Sequence, residues 1–263
     1  MQSKFDLYRT RMTRIGRIST DPCASASSAQ SVFYHTIFLS VLIEDAWKCL
    51  NDPGKKPVRS DHIIILDWIK NDTSVLDLGC HEGELLSLIV NERNARAQGI
   101  EIDEQAIYKC VELGLSVSHQ DIDNGLSEYG DESFDYVILN QSIQQVKKPD
   151  VVLKEALRVG KEVIVGFPNF AHFGARCQIF FRGITPLTPS LPYQWYETPN
   201  LHFLSISDFR DYCRRQNIRI KSSAFIGNNV FFSLLPNLFA QTGLFLISKY
   251  EQEQPPNTHQ PSD

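Results

Sequence analysis

Acidic and polar side chains accompany the ends of four successive apolar runs, where they could form a ligand site. The run "SVLDLG" contains Asp77 and leads into the turn Gly79–Gly83, and later runs end at Glu101, Asp121 and Asn140–Gln141. Carboxylates accept hydrogen bonds from hydroxyls and amines, and they attract cations. The pattern therefore predicts a ligand that carries hydroxyl and amine groups and positive charge.

The spacing of the glycines indicates the kind of ligand. The turn reads Gly79-Cys80-His81-Glu82-Gly83, one residue tighter than the GxGxxG of a dinucleotide loop. Glu82 and Glu84 stand at the start of the following helix, where they would repel a phosphate. S-adenosylmethionine has no phosphate, and its sulfonium and ammonium outweigh its carboxylate. The loop thus favours S-adenosylmethionine over the dinucleotide of an oxidoreductase.

Each predicted role follows from hydrogen-bonding capacity. Glu101 lies 18 residues past Gly83, as expected for a carboxylate that accepts bonds from both ribose hydroxyls. Asp121 would accept the adenine amine with Ile122 packed on the ring, and Asp77 would orient the loop or the ligand ammonium. The predicted cofactor-binding residues are Asp77, Gly79, Cys80, Gly83, Glu101, Ile102, Asp121, Ile122 and Asn140.

The elements that must position these residues alternate between helix and strand from Asp61 onward. "HIIILDWIK" has helical spacing, whereas "YVILN" and "VIVGF" are continuous apolar runs, typical of strands buried on both faces. The alternation predicts an α/β fold, a single Rossmann-like domain with a mostly parallel seven-stranded sheet and helices on both faces. Ligands of such sheets bind at the carboxyl ends of the strands, where the polar residues lie.

Three segments depart from this alternation. Residues 168–201 contain five prolines and the clustered aromatics Tyr193, Trp195 and Tyr196, which predicts a long ordered loop or lid within a domain spanning 59–250. Residues 1–58 are predicted to be a partly disordered extension with one short helix around 31–49, with a targeting sequence as the alternative. Residues 251–263 are predicted to be a disordered tail.

The composition excludes several classes of function. A net charge of -5 and a pI near 5.8 argue against nucleic acid as the main partner. No apolar run reaches the ~18–20 residues that span a bilayer. The 6 cysteines show neither CxxC nor Cys/His ligand spacing, which predicts reduced thiols in a cytoplasmic protein and no metal site.

Four longer stretches carry a resemblance to a known family. They are "DHIIILDWI" at 61–69, "FDYVILNQSIQ" at 134–144, "RVGKEVIVGFPNF" at 158–170 and "LPYQWYETPNLHFLSISDF" at 191–209. Together with the glycine loop, they make Asp61 to about Lys249 resemble the methionine-biosynthesis protein MetW family, within the class I S-adenosylmethionine-dependent methyltransferases. The resemblance implies a methyltransferase-like fold and a role as partner of a homoserine O-acyltransferase of the MetX type. It supplies no methyl acceptor.

Two functions therefore remain open from the sequence. One is an accessory protein that binds S-adenosylmethionine and acts through the acyltransferase, and the other is an active small-molecule methyltransferase. No catalytic base is evident, because His202 and Tyr193 are candidates only by lying near the lid. Trp195 and Tyr196 could line an acceptor pocket or a partner interface. His81 replaces the middle glycine that the resembled family keeps; its side chain could crowd the methionine end of the ligand and weaken cofactor binding, or it could point outward without effect. The replacement favours the accessory role.

Overall fold

The computed structural model describes residues 58–227, 230–231 and 234–250. The helix expected around 31–49 and the tail at 251–263 lie outside these residues. The helices are α1 (Ser60–Trp68), α2 (Glu84–Arg93), α3 (Glu104–Glu112), α4 (Pro149–Val159), α5 (Phe173–Cys177), α6 (Ile206–Arg215) and α7 (Pro236–Phe239). The strands are β1 (Ser74–Leu78), β2 (Arg96–Glu101), β3 (Ser116–His119), β4 (Phe134–Asn140), β5 (Gly160–Pro168), β6 (Ile218–Gly227), β7 (Val230–Phe231) and β8 (Thr242–Lys249). No helix in this part of the chain is long and apolar enough to cross a membrane.

Within the described residues, the strands form an 8-stranded sheet in the order β3-β2-β1-β4-β5-β8-β6-β7. The pairs from β3 to β5 are parallel, whereas β8 is antiparallel to both β5 and β6, and β7 is antiparallel to β6. The predicted mostly parallel sheet is confirmed. Beyond the seven strands predicted, the structure adds the edge strand β7, which has only two residues and so leaves no pattern in the sequence.

Two hydrophobic cores lie on opposite faces of this sheet. Successive strand residues point to opposite faces, so Leu76 packs with residues of α4 and α6, while Val75 packs with residues of α1 and α2. In the same way, the neighbouring residues Val137 and Ile138 on β4 pack into different cores. Burial on both faces explains why these strands are continuous apolar runs, and it confirms the predicted helices on both sides of the sheet.

The strand order reverses at β1. The chain moves outward from β1 to β2 and β3, then returns to pair β4 with the other edge of β1. In sheets of this kind the connections on the two sides of the reversal diverge, and ligands bind between them at the carboxyl ends of the strands. The glycine turn follows β1 at this edge, and Asn140 ends β4 there.

Residues 169–204, which we call the insertion, connect β5 to α6. The sequence predicts a long ordered loop here, and the structure places α5 and a π-helical turn at Gln178–Arg182 in its first half. Each spans 5 residues, too few to show a helical period in the sequence. Ser205 follows the insertion, and its side chain caps α6 through a reciprocal pair of bonds with Asp208.

Candidate functional site

The turn after β1 has a backbone that requires glycine at both of its ends. Gly79 and Gly83 have φ of 82° and 77°, in the left-handed region that side chains disfavour. The N–H groups of Gly79 and Cys80 donate to the Ile100 carbonyl at 2.8 and 3.2 Å, which joins the turn to the end of β2. A Cβ at Gly79 would come within 3.0 Å of the Ser142 Cβ. The turn therefore lies directly against the loop that follows β4.

His81, in the middle of this turn, also adopts a left-handed conformation, with φ of 49°. Its backbone N–H donates to Glu101 Oε2 at 2.8 Å, and the residue itself is exposed. A left-handed non-glycine residue costs about 1–2 kcal/mol. The turn thus keeps the conformation that glycine would adopt, at some cost in stability.

Replacing His81 by glycine is expected to stabilise the protein by about 1 kcal/mol. The relief of left-handed strain exceeds the added backbone entropy of glycine in the unfolded chain, which is about 0.5–1 kcal/mol. Glu132→Gly is the matched control, because Glu132 is also exposed and left-handed, with φ of 50°, but lies outside the turn. Urea denaturation would measure both variants. Loss of stability in His81→Gly alone would mean that the imidazole supports the turn.

Glu101 hydrogen-bonds to three backbone amides. Its Oε1 accepts from the N–H groups of Ile102 and Asp103 at 2.8 and 3.0 Å, and its Oε2 accepts from His81. A carboxylate has about four acceptor positions. One position on Oε2 therefore remains for a ligand. The prediction that Glu101 accepts from both ribose hydroxyls did not account for these amides, which reduce its free capacity to one bond.

The predicted site residues that follow β2 and β3 differ in how exposed they are. Asp121 Oδ1 accepts from the Asp123 N–H at 2.9 Å and caps the 3₁₀ turn Ile122–Asn124. Ile122 is partly buried and packs against the core on the α4 side. Ile102, by contrast, is 59% exposed beside Glu101. Ile102 is therefore the more accessible apolar surface at this edge of the sheet.

Asp77 lies one residue inside β1 and is almost completely buried. Burial, and secondarily the charge of Glu101, raises the pKa of Asp77 to about 7. Burial also raises the pKa of the neighbouring Cys80 thiol, with smaller contributions from Asp77 and other groups. Asp77 is consequently a carboxyl group that changes its charge near neutral pH, under the glycine turn.

Asn140, at the end of β4, connects to α1 rather than to the glycine turn. Its Nδ2 donates to Asp61 Oδ2 at 2.9 Å, and Arg59 donates to both Asp61 oxygens at 2.6 and 3.1 Å. Burial tends to raise the pKa of Asp61, but the charges of His62 and Arg59 and these bonds outweigh it and hold the pKa low. No local sequence pattern predicts this pairing, because Asp61 and Asn140 are separated by 79 positions.

Three side-chain atoms near the end of β4 are buried without a hydrogen-bond partner among the described residues. They are Asn140 Oδ1, Ser142 Oγ and Gln144 Oε1. Buried polar atoms usually have partners, because leaving one unpaired costs about 1–3 kcal/mol. Ser142 contacts the glycine turn, as described above. The sequence pattern indicated Asn140 and Gln141 as polar residues at the end of β4, but it did not indicate Ser142 and Gln144.

The insertion reaches this region only through its last residues. The backbone N–H groups of Leu201 and His202 donate to the Gln144 carbonyl at 2.9 and 3.0 Å. The His202 side chain is exposed, and Trp195 and Tyr196 are 71% and 65% exposed. Among the described residues, no hydrogen bond connects these two aromatic side chains to the glycine turn.

The sheet order and the glycine turn at the reversal define the fold of class I S-adenosylmethionine-dependent methyltransferases, and solved structures share it. A methyltransferase from Archaeoglobus fulgidus has a TM-score of 0.54 at 16% identity, covering 72% of this chain and 92% of that one. A possible histamine N-methyltransferase from Thermotoga maritima has a TM-score of 0.52 at 17% identity, covering 72% and 87%. The [4+2]-cyclase SpnF has a TM-score of 0.51 at 15% identity, covering 85% and 97%. At these identities the similarity shows the fold alone.

The chain belongs to the MetW family. Residues 59–247 match the model of "Methionine biosynthesis protein MetW", which confirms the resemblance noted in the sequence. The bifunctional methionine biosynthesis protein MetXA/MetW of Rhodopirellula baltica is 33% identical over 210 residues, covering 75% of this chain and 34% of that protein. This chain therefore spans about a third of the curated relative.

Proposed function

We propose that this chain binds S-adenosylmethionine at the carboxyl edge of β1, β2 and β3 and acts as an accessory protein of a homoserine O-acyltransferase. The observation that carries the binding proposal is the buried Asp77 beneath the glycine turn. A carboxylate there favours a ligand with positive charge and disfavours a phosphate. S-adenosylmethionine carries both a sulfonium and an ammonium group.

The residues around the turn fit this cofactor because each has a hydrogen-bond acceptor that the fold leaves unused. Oε2 of Glu101 has one free acceptor position for a ribose hydroxyl. Asp121 uses Oδ1 in its cap, and the carboxylate keeps acceptor capacity for an adenine amine. Ser142, which contacts the turn, and Gln144, in the loop after β4, have unpaired oxygens that could accept from the ammonium group. When bound, the cofactor supplies a methyl group already activated by the sulfonium.

The accessory role is supported by two of the proteins to which this chain is similar. The Rhodopirellula relative combines MetXA and MetW in one protein, as its name states. The cyclase SpnF shares the fold, so the fold by itself does not imply methyl transfer. Methyl transfer needs mainly alignment of the acceptor, which leaves an active small-molecule methyltransferase as the second candidate. The unpaired Ser142 and Gln144 favour that candidate, because they could also orient an acceptor.

One set of measurements separates these functions. Calorimetric titration of the full chain with S-adenosylmethionine and S-adenosylhomocysteine is expected to show saturable binding of both. The acyltransferase is expected to co-purify with the chain, and no methyl label is expected to pass from labelled cofactor to lysate metabolites. Gly79→Val, which places a branched side chain at the contact with Ser142, is the non-binding control. Label transfer would establish the enzyme. Absence of cofactor binding would refute the cofactor site and the enzyme, and failure of the acyltransferase to co-purify would refute the accessory role.

A further inference from the structure

Two pairs of aromatic side chains project from the insertion into solvent. The exposed fractions of Phe180, Phe181, Trp195 and Tyr196 are 82%, 76%, 71% and 65%. The Phe180 and Phe181 rings contact each other edge to face at 4.9 Å between centroids, and Trp195 and Tyr196 do so at 5.5 Å. We call these four residues the aromatic surface. Surfaces of this composition mark sites of protein–protein interaction more often than isolated exposed apolar residues do.

The backbone that carries the aromatic surface is ordered by its own hydrogen bonds. The π-helical turn that holds the two phenylalanines closes through a bond from the Gly183 N–H to the Ile179 carbonyl at 3.0 Å. Trp195 and Tyr196 lie in a turn in which the N–H groups of Glu197 and Thr198 donate to the Gln194 carbonyl, both at 3.0 Å. Rigid aromatic side chains on a fixed backbone lose little entropy on binding.

A further pair of bonds joins the two parts of the insertion. Gln178 Nε2 donates to the Leu187 carbonyl at 2.7 Å, and the Leu187 N–H donates to Gln178 Oε1 at 3.0 Å. The segment that follows the phenylalanine pair is thereby held to the helical part of the insertion. The phenylalanine pair thus lies in a segment whose two ends are bonded to each other.

The area of the aromatic surface suits a specific interface. Each aromatic side chain offers roughly 150–250 Å², so at these exposures the four together present on the order of 600 Å². A standard interface buries about 800 Å² on each partner. Its hot spots are enriched in tryptophan and tyrosine. The two pairs could therefore each supply anchor residues of such an interface.

We propose that the aromatic surface is the site at which this chain binds an acyltransferase of the MetXA type. This inference rests on the proposed accessory function and identifies the surface that performs it. In the Rhodopirellula relative the two activities share one protein, and a covalent link gives a high effective concentration without a strong interface. Where the MetXA-type protein is a separate chain, the interface itself must supply the affinity, and a set of exposed, preorganised aromatic residues does so.

Paired substitutions test the proposal with the full chain and the MetXA-type acyltransferase from the same organism. Trp195→Ala/Tyr196→Ala and Phe180→Ser/Phe181→Ser are each expected to weaken binding about thirtyfold or more, as loss of hot-spot residues does. Tyr108→Ala/Val111→Ala is the matched control, because these residues are 68% and 59% exposed on α3, away from the insertion. It is expected to bind as the wild type does. Biosensor titration of the acyltransferase measures the affinities, and titration of S-adenosylmethionine verifies that each variant is folded.

The outcomes separate this inference from the proposed function. If the wild type binds the acyltransferase and both aromatic variants bind equally well, the surface is wrong while the accessory function stands. If the wild type does not bind it, both proposals fail. If the wild type instead self-associates and the aromatic variants are monomeric, the surface joins two copies of this chain, and the acyltransferase assignment is overturned.

Discussion

Asp77→Asn is expected to stabilise the protein at pH 8 and to flatten its stability profile between pH 4 and 7. The folded-state pKa of Asp77 is about 7, whereas the model value is 3.8. The folded protein therefore retains a proton on Asp77 that the unfolded chain releases, and stability falls as pH rises between these values. The stabilising contribution is complete below the unfolded pKa and is lost as pH passes through 7.

The expected size of this effect is large. A pKa difference of one unit corresponds to about 1.4 kcal/mol, so the full shift amounts to about 4 kcal/mol between pH 4 and pH 8. Asparagine cannot ionise, and it fills nearly the same volume in the strand. The difference between the unfolding free energies of the variant and the wild type isolates Asp77 from the other titrating groups. Urea denaturation at intervals of half a pH unit would measure it, and parallel profiles would refute the assigned pKa.

The same titration links pH to the proposed cofactor binding. A cationic ligand favours the ionised form of Asp77, so affinity for S-adenosylmethionine is expected to rise about tenfold per unit as pH approaches 7, and then to level off. Asp77→Asn is expected to bind more weakly at pH 8 and to show no such dependence. Calorimetry from pH 5.5 to 8.5 would measure both proteins. A wild-type affinity that does not vary with pH would place the ligand's positive charge away from Asp77.

The parts of the fold that the sequence predicted well are those in which one residue pattern has one structural cause. Val137, Ile138 and Leu139 form a continuous apolar run because both faces of β4 are covered, and such a run identifies a central parallel strand. The capping box of Ser205 and Asp208 is likewise local, because the two residues are three positions apart. Local causes of this kind are readable from the sequence alone.

The parts that could not be predicted depend on backbone orientation or on distant pairing. The capacity of Glu101 was overestimated because a sequence does not reveal that the amides of His81, Ile102 and Asp103 point at its carboxylate. No sequence pattern indicates that Asp61 pairs with Asn140, 79 positions away. The sequence therefore predicted that these side chains follow the strands, but not the bonds that they already make.

Glu101→Ala is expected to destabilise the protein by about 2 kcal/mol and to release the glycine turn from β2. Hydrogen bonds to charged groups contribute about 1.5–3 kcal/mol each, but Glu101 is half-buried, and water can replace part of what is lost. The amides of His81, Ile102 and Asp103 are each expected to lose protection from hydrogen exchange. Glu112→Ala, at the exposed end of α3, is the control and should change neither stability nor these amides.

Glu101→Gln distinguishes the role of the charge from that of the hydrogen bonds. A glutamine amide has one carbonyl oxygen, so it can accept either from Ile102 and Asp103 or from His81, but not from all three. Protection is therefore expected to persist at one side of the turn and to disappear at the other. Both substitutions also remove the negative charge that helps to raise the pKa of Asp77. The pH above which the unfolding free energy stops falling should therefore be lower in each variant than in the wild type. If all three amides stay protected in Glu101→Ala, the turn is held by its bonds to the Ile100 carbonyl. The carboxylate of Glu101 would then be available to accept hydrogen bonds from the ligand.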